Sequence, residues 1–419
     1  MNGCLVTSAH LSRAAIVLSI VAAAVRPAPL EAEIRNRVVL GYDSFIDRFT
    51  ILEADTFESV HEFSVGLGNG LMYRDGTVKA GVNNFLRFSN QTIDEALDAE
   101  ASITPTKSAV IDLRGTLHWK HFQEGSDYEF GNDYTQVNAV LKIRHDLGTD
   151  CRMSLKSRFE LIDYGERTDF DYDYGYADGG VEIEAGPDFS RAVRAGIYAG
   201  RRDVPDSTAL TYDRATALIE ARLLSVQGIA IHFASTGDRR DYRETVRSST
   251  WSVMSFLDLS FNASNGAVYS LRGESELTTF DRPDTIYFDT HFVRGGVRAR
   301  FPLRSMSSCF IEPRYARMLC HDFGEERYQE ISCILGADLM EGDKLWLSLA
   351  YEPGYRDYSL EVNDLYSDYH VNRISAMGNL SLPHKTAFNL CVTHEPERHS
   401  RREDDFSVTL LSIDFTKRF

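Results

Sequence analysis

Apolar and polar residues alternate with a period of two through most of this chain, and this pattern restricts what it can fold into. In segment 151–161, for example, Met153, Leu155 and Phe159 alternate with polar residues. Successive side chains of a β-strand point to opposite faces of the sheet, so the pattern predicts strands with one apolar and one polar face. The same alternation recurs in residues 139–144, 215–223, 293–301 and 345–351.

The connections between these predicted strands alternate between short and long from residue 107 onwards. Short connections include 145–151, 185–190 and 340–344. Long connections include 123–133, 163–180 and 355–369. Such a regular succession predicts an antiparallel up-and-down meander, in which all short connections lie at one end and all long ones at the other.

A meander of this kind can form a soluble sandwich or a membrane barrel. Sandwich strands have about five or six residues, whereas the strands predicted here have about ten to sixteen. A tilted strand that crosses a bilayer needs about nine to eleven residues. No backbone group can stay unpaired in lipid, so a membrane sheet must close on itself. Strand length and the continuous apolar faces both favour the closed barrel.

From residue 58 to residue 419 the chain resembles the outer-membrane β-barrels of Gram-negative bacteria. The resemblance implies an all-β, transmembrane, antiparallel up-and-down barrel in the outer membrane, surrounded by lipid. Counting strands gives eighteen, with sixteen as the alternative, because such barrels have an even number of strands. Residues 90–106 are expected to face the periplasm, with room for a helical turn.

The N-terminal part of the chain has a different character. Residues 14–25 form an apolar run of twelve, which is too short to span a bilayer but fits the apolar region of a secretory signal. We therefore predict a signal peptide over residues 1–32 and the barrel over residues 58–419. Residues 33–57 are left between them, either as a plug inside the barrel or as an extra strand.

Apolar residues occupy alternate positions in the last predicted strand. They are Leu411, Ile413, Phe415 and Phe419. In the class that the chain resembles, such a strand ends on an aromatic residue and is recognised by the barrel-assembly machinery. The resemblance implies that this machinery is a partner. Lys417 departs from the pattern, since the class has an apolar residue at that position.

Basic residues on the polar faces are expected to line the lumen, because Arg or Lys costs about 2–4 kcal/mol at the midplane of the lipid face. The selected residues are Arg114, Lys142, Arg144, Arg152, Lys156, Arg158, Arg294, Arg298 and Arg300. They could form a charged pore that selects anions. They could equally be a ladder of ion pairs with acids such as Glu182 and Glu274, which would fill the lumen without transporting anything.

Tyr172, Tyr174 and Tyr176 alternate with other residues near the outer end of one predicted strand. They could stack on sugars, but we favour the aromatic girdle that membrane barrels place at the lipid interface. The net charge of −17 argues against a nucleic-acid partner.

No catalytic group, metal site or cofactor is predicted. His118 and His121 are three residues apart on a strand, so they point to opposite faces and cannot share a metal ion. Five of the six cysteines follow residue 32, and an odd number without close pairs does not indicate a disulfide framework. Cys309 and Cys333 fall on apolar, lipid-facing positions.

The favoured function is therefore a pore for passive diffusion or export of a small polar solute or polysaccharide, anions among them. The alternative is a closed structural or surface-interaction barrel that uses its acidic extracellular loops. An outer-membrane enzyme ranks third.

Overall fold

Twenty antiparallel strands follow one another around a single closed sheet, in which each strand pairs with its neighbours in the chain and β20 pairs back to β1. The computed structural model describes residues 31–51, 54–123, 126, 132–165, 172–188, 191–224, 228–284, 286–304, 306–321, 326–359, 367–400 and 404–419. Among these residues no helix is long and apolar enough to cross a membrane.

The first ten strands are β1 (Glu31–Ile51), β2 (Ala54–Arg74), β3 (Val78–Ser89), β4 (Thr92–Thr106), β5 (Ala109–Phe122), β6 (Tyr134–Asp146), β7 (Cys151–Tyr164), β8 (Tyr174–Asp188), β9 (Arg191–Asp203) and β10 (Tyr212–Leu224). The others are β11 (Ile229–Tyr242), β12 (Thr250–Asn262), β13 (Val268–Phe280), β14 (Thr290–Pro302), β15 (Ser308–Cys320), β16 (Tyr328–Glu341), β17 (Leu345–Tyr358), β18 (Tyr369–Leu382), β19 (Thr386–His399) and β20 (Phe406–Arg418). A 3₁₀ turn, Thr208–Leu210, precedes β10.

The predicted fold class is confirmed, but the predicted count of eighteen strands is wrong by two. The additional strands are β1 and β4. Of the segment 33–57, considered as either a plug or a strand, residues 33–51 and 54–57 lie in the wall as most of β1 and the start of β2. The predicted signal peptide lies outside the described residues except for Glu31 and Ala32, which begin β1.

The prediction that residues 90–106 face the periplasm is also wrong, because residues 92–106 form β4 and residues 90–91 connect it to β3. This segment is rich in alanine and acidic residues, which do not favour strands by themselves. Its acids find partners on β5: Asp94 lies 2.6 Å from His118, and the Thr116 hydroxyl donates to Asp98 over 2.9 Å. These contacts across the sheet stabilise a strand that local sequence preference does not predict.

The two faces of the sheet differ in chemistry. One face exposes large apolar side chains, such as Phe63, Ile197 and Ile331, each more than 60% exposed. The other face carries ion pairs that bridge strands two apart, such as Arg300 on β14 with Asp338 on β16 at 3.1 Å. Side chains converge on the concave side of a barrel, so contacts that skip a strand mark the ion-paired face as the lumen. The apolar face is then the exterior, which contacts lipid.

The barrel closes where β20 meets β1. Their register runs from Phe406 opposite Phe49 to Arg418 opposite Arg37, and the Phe419 amide donates to the Asn36 carbonyl over 3.0 Å. The residues Leu411, Ile413, Phe415 and Phe419 occupy alternate positions on the outer face of this seam. By analogy with barrels that have short periplasmic turns and long extracellular loops, the end with the short connections is periplasmic.

Glycines inside two strands give room for aromatic rings that lie flat on the inner wall. The Phe310 ring covers Gly336 of the neighbouring strand, and the Arg298 guanidinium lies over the same ring, 3.8 Å from its centroid. Phe85 repeats the arrangement on Gly66, with Arg37 at 4.6 Å. A Cβ atom at either glycine would overlap the ring.

We predict that Gly336→Ala destabilises the barrel by about 1–3 kcal/mol, because overpacking displaces Phe310 and the arginine stacked on it. The measurement is the urea midpoint of unfolding, read from the heat-modifiable gel mobility of the folded barrel. Gly175→Ala is the matched control, since a Cβ there meets nothing within 4 Å. Equal midpoints for the two variants would contradict the packing role.

Candidate functional site in the barrel lumen

Six of the nine basic residues predicted to line the lumen are in ion pairs on its wall. On β7, Arg152 pairs with Asp146 at 2.7 Å, Lys156 with Glu182 at 2.6 Å and Arg158 with Asp178 at 3.0 Å. On β14 the pairs are Arg294 with Glu274, Arg298 with Glu312 and Arg300 with Asp338. For these six residues the arrangement is the ion-pair ladder that the sequence left open as one alternative.

Glu312 is the centre of the densest part of this ladder, and only 1% of it is exposed. Arg298 Nε and Arg314 Nε each lie 2.8 Å from a Glu312 oxygen, and Arg272 Nη1 lies at 3.6 Å. The Arg298 contact is close but lacks hydrogen-bond geometry. One carboxylate thus neutralises part of the charge of three arginines from three strands.

The ladder continues from Glu312 across the next strands. Arg314 also approaches Glu352, at 3.7 Å, and Glu352 accepts hydrogen bonds from Arg373 and from Ser332. Arg373 donates in turn to Glu395 on β19. These alternating charges hold the wall of the β13–β19 sector together.

Arg114, Lys142 and Arg144 are different, and we call them the basic patch. Within the described part of the chain none of the three has an ion pair within 4.0 Å. Glu100 stands opposite Arg114 and Asp112 opposite Lys142 in the register, but neither acid reaches ion-pair distance. The basic patch lies on β5 and β6 in the periplasmic half of the barrel. Its three residues are the members of the predicted site that do not belong to the ion-pair ladder.

A cavity of about 230 Å³ opens on the lumen wall beside the basic patch. Its lining residues are Lys142, Arg144, Arg152, Ser154, Glu182, Glu184, Ala192, Arg194, Glu220 and Arg222. Basic side chains outnumber acidic ones in this lining, although Arg194 and Arg222 both contact Glu220 at 2.5 Å. The alternation places Arg194 and Arg222 on polar strand faces, but it does not show that β6 to β10 form one side of one cavity.

Tyr174 and Tyr176 face the lumen, so the predicted lipid-interface girdle is wrong for both. The Tyr174 hydroxyl donates to Glu160 over 2.8 Å, and the Tyr176 hydroxyl donates to Asp178 over 2.7 Å. Arg202 lies over the Tyr174 ring at 4.1 Å. Both tyrosines are in phase with Glu182 on β8, and this parity is the sequence signal that could have placed them inside.

Other tyrosines repeat this position at the extracellular ends of strands. They are Tyr134, Tyr164, Tyr212, Tyr242, Tyr328, Tyr358 and Tyr369. Neighbouring rings contact one another, as in Tyr212 and Tyr242 at 5.3 Å or Tyr328 and Tyr358 at 5.6 Å. These rings line the inner wall of the extracellular mouth on β6 to β8, β10 to β11 and β16 to β18, which the sequence pattern did not predict.

Among the described residues, no group of three His, Cys, Asp or Glu side chains is placed to hold a metal ion. The five described cysteines are free.

No protein-family model and no curated protein matches this chain. Solved structures do match it in fold. The alcaligin outer-membrane receptor FauA from Bordetella pertussis is 10% identical with a TM-score of 0.57, over 91% of this chain and 76% of that one. The siderophore receptor PirA from Pseudomonas aeruginosa is 8% identical with a TM-score of 0.54, over 94% of this chain and 81% of that one. The outer-membrane protein opdK from the same species is 13% identical with a TM-score of 0.47, over 92% and 99%.

At these identities the similarity to FauA and PirA establishes the fold and nothing finer. Together with the closed sheet and the exposed apolar exterior, it shows that the protein is an outer-membrane β-barrel with a charged lumen. Lipid surrounds the outer face of the barrel.

We predict that Glu312→Gln destabilises the barrel by about 3–5 kcal/mol, because it leaves three arginines without their shared buried counter-charge. Urea unfolding followed by gel mobility measures the loss. Glu274→Gln is the control: it removes one half-exposed ion pair, with Arg294, and should cost at most about 1 kcal/mol. Similar losses in both variants would show that Glu312 is not a centre of stability.

Proposed function

We propose that the protein is a pore for passive diffusion of small polar solutes and that it favours anions. The observation that carries this proposal is the basic patch, Arg114, Lys142 and Arg144. None of the three has an ion pair with a described residue, and Lys142 and Arg144 line the cavity of about 230 Å³. The proposal is for a transport protein, neither an enzyme nor a closed interaction barrel.

Barrel size supports an open path. Barrels of 16–18 strands already leave an aqueous channel, and this one has twenty. All the strands that the structure describes lie in the wall. A solute crossing this lumen would meet balanced charges over most of the surface and an excess of positive charge at the basic patch.

Local charge then decides the preference for anions. Paired charges cancel at short range, so the six ion-paired residues contribute little to the field that a solute meets. Unpaired cations raise the local anion concentration, and the effect grows at low salt because screening is weaker. The acids Glu182, Glu184 and Glu220 beside the patch would disfavour tightly held polyanions, which fits weak binding of small anions during passage.

The test is the reversal potential across a planar bilayer under a KCl gradient. We expect an anion-selective wild type and a chloride-to-potassium permeability ratio that falls at least about fivefold in Lys142→Ser with Arg144→Ser, since each of the two lost charges is worth about 1 kcal/mol at 4 Å in water. The difference should shrink at 1 M salt.

Two controls separate local charge from general disturbance. Exchanging Lys142→Arg and Arg144→Lys keeps the charge and should keep the selectivity. Removing one complete ion pair, Arg294→Ser with Glu274→Ser, changes no net charge and should also leave it intact. A cation-selective wild type would overturn the anion preference, and the absence of any conductance would favour the closed interaction barrel.

We further propose that the barrel-assembly machinery recognises the outer face of β20. Leu411, Ile413, Phe415 and Phe419 share that face, and Phe415 and Phe419 remain exposed on the closed barrel. Since β20 also makes the closing seam with β1, recognition of this strand would act on the last pairing to form.

We predict that Phe415→Ala with Phe419→Ala lowers the amount of heat-modifiable barrel in membranes, because it removes apolar contacts made before closure. Fractionation and gel mobility at native expression provide the measurement. Lys417→Ala on the same face is the control and should assemble normally. Normal levels of the phenylalanine variant would argue against recognition of this face.

A further inference from the structure

Most of the lumen wall is polar, yet one line of side chains is not. Phe45, Trp346, Met377 and Leu410 are 38%, 40%, 44% and 48% exposed on the lumen side of their strands, and Cys391 is exposed among them. We call these five residues the apolar track. Exposed apolar groups that cluster on an otherwise polar surface commonly mark a binding site.

The register makes the track continuous over five successive strands. Met377 stands directly opposite Cys391, and Leu410 stands directly opposite Phe45. The remaining steps are diagonal. Trp346 pairs with Asn379, two residues from Met377, and Cys391 pairs with Ser412, two residues from Leu410. Diagonal neighbours lie about 7–8 Å apart, within reach of long side chains.

The track also runs along the pore. Trp346 is the second residue of β17 from its periplasmic end, whereas Leu410 is the fifth residue of β20 from its extracellular end. Charges flank the track, with Arg373 and Glu395 on its extracellular side and Asp414 on its periplasmic side.

This shape points to a small solute rather than to a protein partner. A protein interface would need a broad patch, whereas the track is one side chain wide on each strand. Its extension along the axis of passage fits a molecule that moves past successive contacts. Its polar surroundings fit a molecule with only one apolar part.

We infer that the apolar track binds the ring or alkyl chain of organic anions as they cross the lumen, while the basic patch attracts their carboxylates. This inference deepens the proposed function, and it rests on that function for the passage of solutes through the lumen. The solute class is carboxylates that carry an aromatic ring or an alkyl chain, and simple inorganic anions would use the basic patch alone.

Cys391 offers a direct readout, because its thiol faces the lumen and borders Met377. The full-length protein in proteoliposomes is labelled with N-ethylmaleimide, and the labelling rate at Cys391 is followed by mass spectrometry of its peptide. Benzoate is titrated in, with acetate at equal ionic strength as the matched anion without an apolar part. We expect benzoate to slow labelling about tenfold at ten times its Kd, by simple occupancy, and acetate to leave it unchanged.

A variant within the track provides the second arm. Leu410→Ser should weaken protection by benzoate, seen as a higher benzoate concentration for half protection. Met254→Ser is the matched control, since Met254 is a lumen-facing methionine, 59% exposed, that lies on β12 outside the track. It should leave protection unchanged.

Each other outcome has a definite meaning. Equal slowing by acetate and benzoate, or unchanged protection in Leu410→Ser, would overturn the apolar track as a binding site. A thiol that fails to react without solute would show that protein covers the track, which also overturns it. If benzoate protects Cys391 but bilayers show no conductance, the proposed pore fails while the binding site stands.

Discussion

At the depth of the lipid, every backbone N–H and C=O group of this protein must be paired inside one closed sheet, because lipid offers no partner to an open edge. That constraint requires the β20–β1 seam, which closes the antiparallel sheet of twenty strands. It also separates the side chains. Alternate residues must be apolar to meet lipid, and the polar residues between them are gathered on the inner wall whatever their charge.

Gathering so many charges on one concave wall requires them to be neutralised. The ladder around Glu312 and Glu352 does this in the β13–β19 sector, where each carboxylate serves more than one arginine. Because most charged side chains of the wall are paired in this way, the parts of the wall that differ are candidates for contact with a solute. The basic patch and the apolar track are two places where the described wall offers a solute something other than balanced polarity.

The same balance explains why single charged residues in the lumen are poor indicators of function. Arg294, Arg298 and Arg300 are close in sequence and looked like a selectivity element, yet each has an acidic partner from a neighbouring sector of the wall. Lys142 and Arg144 are no more conspicuous in the sequence, yet neither has an ion pair with any residue that the structure describes. Partners that lie 14 to 38 residues away in the sequence decide the difference.

The sequence by itself determined the fold class, the alternation of short and long connections, eighteen of the strands and which face of most strands is polar. These follow from a period of two, which is a local property. It did not determine β1 and β4 as wall strands, the inward position of Tyr174, or which basic residues are neutralised. Those depended on register between strands and on closure of the sheet, since only closure fixes how many strands meet and which distant side chains share one sector of the lumen.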